Sequence, residues 1–189
     1  MKKLLLPATA ILLLALTACD PAGGTGGPSA APVTGIDCIP GEWTADLDDL
    51  AGQLADFYVS TGFADDLTGT VTGTEHASLN SDRTSITSDD ATFVFTGHRA
   101  GKDLTMTQVH AGGFDAAWDF VDGTFDFSDF NAPHYSIQTT VDYDGHTTTL
   151  PVNETEGFAE DIPITTECTG DVMTMTPENS PFTTTWNRD

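Results

Sequence analysis

From Asp66 onward the chain alternates apolar and polar residues with a period of two, and this pattern limits the fold more than any other feature. Successive side chains of a strand point to opposite faces, so the alternation marks strands that each bury one face. Leu67, Val71 and Leu79 take one face against Thr68, Thr70, Thr72 and Thr74, and Phe93 and Phe95 alternate with Thr92, Val94 and Thr96. Phe114, Ala116, Trp118 and Phe120 oppose Asp115 and Asp119, while Phe125 and Phe127 oppose Asp126. Tyr135, Ile137, Val141 and Tyr143 oppose Ser136, Gln138 and Asp142. Ile162 with Ile164, Met173 with Met175, and Phe182 with Trp186 complete the series. Asp122-Gly123 and Asp144-Gly145 are dipeptides that favour two-residue hairpin turns. The reading is about eight to ten antiparallel strands in succession, most of them joined by short turns.

One stretch has a helical period instead. Between Thr44 and Val59, Leu47, Leu50, Leu54 and Phe57 recur at spacings of three and four. Thr44 or Asp46 is able to cap the start, Asp46, Asp48 and Asp49 suit the positive end of the dipole, and Gly62 is a natural stop. The spacing predicts one amphipathic helix after the first strand, with its Leu/Phe stripe against the core.

So many consecutive strands must dispose of their edges, either by closing into a small antiparallel barrel or by packing as a β-sandwich. Cys38 and Cys168 lie near the two ends of the folded region, and no metal-ligand spacing accompanies them. In an exported chain such a pair predicts a disulfide, which would draw the first strand toward the penultimate one and favour closure. Gly41-Glu42-Trp43, where the first strand should lie, resembles the G-x-W motif of lipocalin-like proteins. The resemblance implies a β-barrel in which a basic residue of the last strand packs across the tryptophan. Arg188 shares a face with Phe182 and Trp186 and fits that role by stacking on Trp43. The family's T-D-Y element is not found, and the helix follows the first strand instead of preceding the last.

The N-terminus carries an address. Met1-Lys2-Lys3 is a basic start, Leu4 to Leu16 is apolar, and Leu16-Thr17-Ala18-Cys19 places small residues before a cysteine. This resembles the bacterial lipobox, which implies that residues 1–18 are a removed signal, that Cys19 is acylated, and that the chain is held to the membrane from outside the cytoplasm. The apolar run is shorter than the roughly 20 residues that span a bilayer. Residues 19–34 are rich in Gly and Pro and read as a flexible tether. The rest, 35–189, is a normal length for one domain with its own core.

Without the signal, four basic residues (Arg83, Arg99, Lys102 and Arg188) face 29 acidic ones. Such a surface repels nucleic acid and anionic phospholipid. A solvated acidic coat explains the charge, and capture of cations or of a basic partner is the sharper reading.

Catalytic signatures are not found: there is no H-E-x-x-H, no C-x-x-C and no G-x-S-x-G elbow. Strand phase puts His76, His98 and His134 outward, and His110 and His146 inward as core or pocket-lining residues. Asp142-x-Asp144-Gly145 looks like the start of a calcium loop, but the twelfth position falls on Asn153, and a hairpin turn explains the same residues. No metal or cofactor is expected. Two functions follow: a non-enzymatic binding module, or an envelope interaction protein with a filled core. In the first, a small apolar or amphipathic ligand enters the barrel, with Trp43, Phe93, Phe95, Trp118 and Tyr135 as walls and His110 or Arg188 as polar anchors. A hydrolase is a more distant third reading, and the expected state is a monomer.

Overall fold

The alternating segments form ten strands in one antiparallel sheet among residues 34–150 and 162–189, which this computed structural model describes. Cys19, the tether before Thr34, and Asn153 lie outside the described residues. A 3-10 turn, Gly35–Cys38, leads into β1 (Gly41–Ala45) and α1 (Leu47–Ser60). The long strands β2 (Asp66–Leu79), β3 (Thr84–Arg99) and β4 (Lys102–Val121) follow, then β5 (Thr124–Asn131), β6 (Ser136–Tyr143) and β7 (His146–Leu150). The chain ends with β8 (Ile164–Thr169), β9 (Val172–Pro177) and β10 (Thr184–Arg188).

Neighbours run β3-β2-β1-β10-β9-β8-β5-β4, and β4 also pairs with β3, so these strands go round in a ring. The joint between β5 and β8 is short, with Thr124 opposite Thr165 and Phe125 opposite Ile164. On its other edge β4 changes partner midway: Leu104 to Ala111 pair with β6, and Asp115 to Val121 pair with β5. The β6–β7 hairpin therefore branches off the ring instead of belonging to it. Both Asp-Gly pairs form the expected turns, with φ of 52° and 85° at Asp122 and Gly123, and 54° and 77° at Asp144 and Gly145.

Ring closure requires the long strands to bend, and glycines at one level allow it. Gly73 in β2 (φ 97°) and Gly112 in β4 (φ 104°) both lie in the left-handed region, on either side of Asp89 to Ala91 in β3. A Cβ at Gly112 would lie 3.1 Å from the Cα of Tyr135, with the His134 carbonyl closer still. The bend is a crease that only glycine fits.

Asp46 caps α1 by accepting from the Asp49 backbone N–H at 3.2 Å. The buried stripe of the helix is Leu47, Ala51 and Ala55, whereas Leu50, Leu54 and Phe57 are only half-buried. Alanine lets the helix backbone approach β2 closely: a Cβ at Gly69 would lie 2.9 Å from the Ala51 carbonyl carbon and 3.1 Å from the Phe95 ring. The core packed beneath contains Trp43, Phe93, Phe95, Met106, Trp118, Phe125, Met173 and Trp186. Burying side chains of this size contributes roughly 1.5–3 kcal/mol each. Cys38 and Cys168 are bonded (S–S 2.01 Å) and join the segment before β1 to β8 across 130 residues.

Candidate functional site: an aromatic cavity with an acidic pair

The inner faces of the ring leave a cavity of about 290 Å³. Its walls are mainly apolar and come from seven strands and the adjoining turns, among them Phe114, Phe127, Phe130 and Tyr135 together with Met173, Met175 and Trp186. The aromatic side is a connected cluster, with Phe114 meeting Phe127 edge-on at 6.3 Å, Phe130 at 5.5 Å and Tyr135 at 6.1 Å between ring centroids. The Trp186 indole N–H is buried and finds no hydrogen-bond partner among the described residues.

Among the described residues one acidic side chain lines this cavity. Glu75 lies on the inward phase of β2, two residues past the Gly73 crease, and is half-buried. Directly opposite it on β3 is Asp89, only 4% exposed. Like charges directly opposite each other on a sheet repel. The burial of Glu75 and, after it, the charge of Asp89 push the Glu75 carboxyl up to about 8.

Asp89 is held from two sides. Its Oδ2 accepts a hydrogen bond from the Tyr135 hydroxyl at 3.1 Å and lies 3.1 Å from His110 Nδ1 on β4. Its Oδ1 is buried with no partner among the described residues. Burial, and then the negative charges of Asp89 and Glu75, hold the Tyr135 phenol protonated well above its ordinary range. His110 also packs against Phe93, at 5.1 Å between rings.

The four basic residues of the domain are all engaged elsewhere. Arg83 covers Trp118, Arg99 lies over Phe63, Lys102 pairs with Asp144, and Arg188 stacks on Trp43 at 4.1 Å. None of them lines the cavity.

Of the residues expected as ligand contacts, Tyr135 is on the cavity wall and His110 stands behind it through Asp89. Trp43, Phe93, Phe95 and Trp118 are buried in the core and do not line the cavity, and neither does Arg188. His76, His98 and His134 are exposed, in keeping with their phase. His146 is a correction: it is exposed on β7, because that strand lies at the outer edge of the hairpin that branches off the ring and all five of its residues are exposed. Asp142 accepts from the Gly145 N–H at 3.2 Å and the Thr147 hydroxyl at 2.7 Å, which makes it a turn residue. No group of three or more metal-ligating side chains occurs among the described residues.

Glu75 and Asp89 are the site residues that sequence reasoning missed. The signal was present, since Glu75 continues the inward phase of Leu67 and Val71, and Asp89 that of Phe93 and Phe95. Comparison with protein families, with curated proteins and with solved structures gives no significant match to this chain.

Proposed function

We propose that the chain is a lipid-anchored exported bacterial lipoprotein whose ring domain is a non-enzymatic binding module for a small apolar or amphipathic molecule. Acylated Cys19 and the Gly/Pro-rich tether hold the domain on the outer side of the cytoplasmic membrane. The observation that carries the binding reading is the cavity of about 290 Å³ walled by aromatic and methionine side chains. Small-molecule sites are concave, mostly apolar and supplied with a few polar anchors, and a cavity at the lower end of their usual size suits a compact ligand. Methionine beside aromatic rings gives such a wall an adaptable surface.

Native mass spectrometry of the soluble domain, residues 35–189, tests this directly. A co-purified adduct that disappears when Met175 is replaced by Trp supports the reading, because Trp at that wall position fills the cavity. A domain that is bare, and that takes up no apolar probe, overturns it in favour of an envelope interaction protein.

A second reading has its own observation. Glu75, Asp89 and His110 converge at the crease, and a carboxyl that keeps its proton to about 8 is suited to a hydrolase acting by general acid–base chemistry. In that case Glu75 is the acid, and Glu75→Gln abolishes hydrolysis of chromogenic ester or glycoside substrates that the wild type cleaves. The apolar wall and the position of Asp89 behind it favour binding over turnover.

A further inference from the structure

We infer that the cavity selects a cationic ligand, an organic amine whose ammonium group rests against Glu75, with Asp89 behind it, and whose apolar body lies along the aromatic wall. This rests on the binding reading and names the ligand class.

Three independent observations point the same way. The first is the acidic character of the site, since Glu75 lines the cavity with Asp89 opposite it on β3, and no lysine or arginine lines the cavity among the described residues. An anionic ligand, such as a fatty acid, would meet the Glu75 carboxyl with no basic side chain among the described lining residues to balance its charge. The second is the wall itself. Phe114, Phe127, Phe130 and Tyr135 line the same cavity as Glu75, and aromatic surfaces attract a desolvated ammonium. The third is a pair of unsatisfied buried polar atoms. Among the described residues Asp89 Oδ1 lacks a donor and Trp186 Nε1–H lacks an acceptor, both buried by more than nine-tenths. Trp186 lines the cavity, so an acceptor on the ligand body would satisfy its indole N–H, and Asp89, behind the lining, adds negative charge that favours the ammonium at Glu75. The excess of acidic residues over the whole domain raises the local concentration of any cation around the cavity mouth.

The groups facing Glu75 decide the proton balance. Asp89 from β3, Tyr135 from the turn before β6, and His110 from β4 through Asp89 surround it, and the carboxyl of Glu75 holds its proton to about 8 in the absence of a cation. An arriving ammonium favours the ionised carboxyl, so binding displaces that proton to solvent. Aliphatic ammonium groups keep their own proton to about pH 10.4, so amine affinity rises from about pH 6 to about pH 9.

The test uses three probes with one eight-carbon chain, n-octylamine, n-octanol and n-octanoate, titrated calorimetrically into the full folded domain. Octylamine is expected to bind about tenfold or more tighter than octanol at about pH 8.5, with proton release visible as a buffer-dependent heat. Octanoate is expected to bind weakest. Glu75→Gln is expected to bring octylamine to the octanol level, and Asp89→Asn to weaken it as well. Octanol or octanoate binding as tightly as octylamine overturns the cationic ligand and leaves the cavity reading intact. Failure of all three to bind overturns both. The wild-type comparison needs no variant, so misfolding of Glu75→Gln does not protect the proposal.

Discussion

Arg188 donates from Nη2 to the carbonyl oxygen of Cys38 at 2.5 Å, so the last strand is tied to the residue that carries the disulfide. The same guanidinium covers Trp43 at 4.1 Å and donates to the carbonyls of Pro40 (2.9 Å) and Gly170 (3.4 Å). One side chain thus joins the start of β1, the β8–β9 turn and the C-terminal strand at the end where the ring closes. Arg188→Ala removes all of these contacts and leaves three carbonyls to find other donors. The expected loss is about 2–4 kcal/mol in urea unfolding, with Arg188→Lys recovering only part of it, because an ammonium has no planar fork to share among three carbonyls.

Reduction of the bridge, or Cys168→Ser, frees a loop of 130 residues in the unfolded chain. The chain-entropy account puts the loss at roughly 4–5 kcal/mol. Denaturation curves measured with and without reductant check this, and coincident curves would refute a stabilising bridge.

Glu75 makes stability depend on pH in a defined direction. Its carboxyl keeps its proton to about 8 in the folded protein, against an ordinary value of 4.5. Between those values the folded state binds a proton that the unfolded state has lost, so raising the pH draws the chain toward unfolding. The stabilising contribution is complete below about 4.5 and gone above about 8. Its slope is at most about 1.4 kcal/mol per pH unit for one proton. Melting curves taken across this window for wild type and Glu75→Gln, each referenced to its value near pH 5, should coincide at the acidic end and diverge toward the basic end, with the wild type losing more stability. A constant difference at every pH would show that Glu75 ionises normally.

Cys19→Ala removes the proposed acylation site. The expected outcome in a bacterial expression host is a domain that leaves the membrane fraction and appears in the soluble exported fraction, followed by immunoblot. Continued pelleting with membranes would remove the anchor from the functional reading.

Much of this architecture was legible beforehand. Alternation in β2, β3 and β4 marked their buried faces, the Asp-Gly pairs marked two turns, and Gly41-Glu42-Trp43 with Arg188 pointed to a stacked pair now seen at 4.1 Å. These are local or short-range signals, set by the two-residue period, by turns that need positive φ, and by side chains with few other partners. The helix was legible in position but not in its contact face. Its alanines carry no hydrophobic signal, yet they set how near its backbone comes to β2.

Taken alone, the sequence determined the strand content, the helix, the cysteine pair and the acidity. Only the tertiary structure decided which residues surround the cavity. Register between β2 and β3 sets Glu75 against Asp89, and the partner change along β4 sends β6 and His146 away from the ring while β5 closes it. Both depend on pairings between residues distant in the chain and on glycine creases whose use is settled when the strands meet. A periodic pattern states which face a side chain takes, and only the assembled sheet states what stands opposite it.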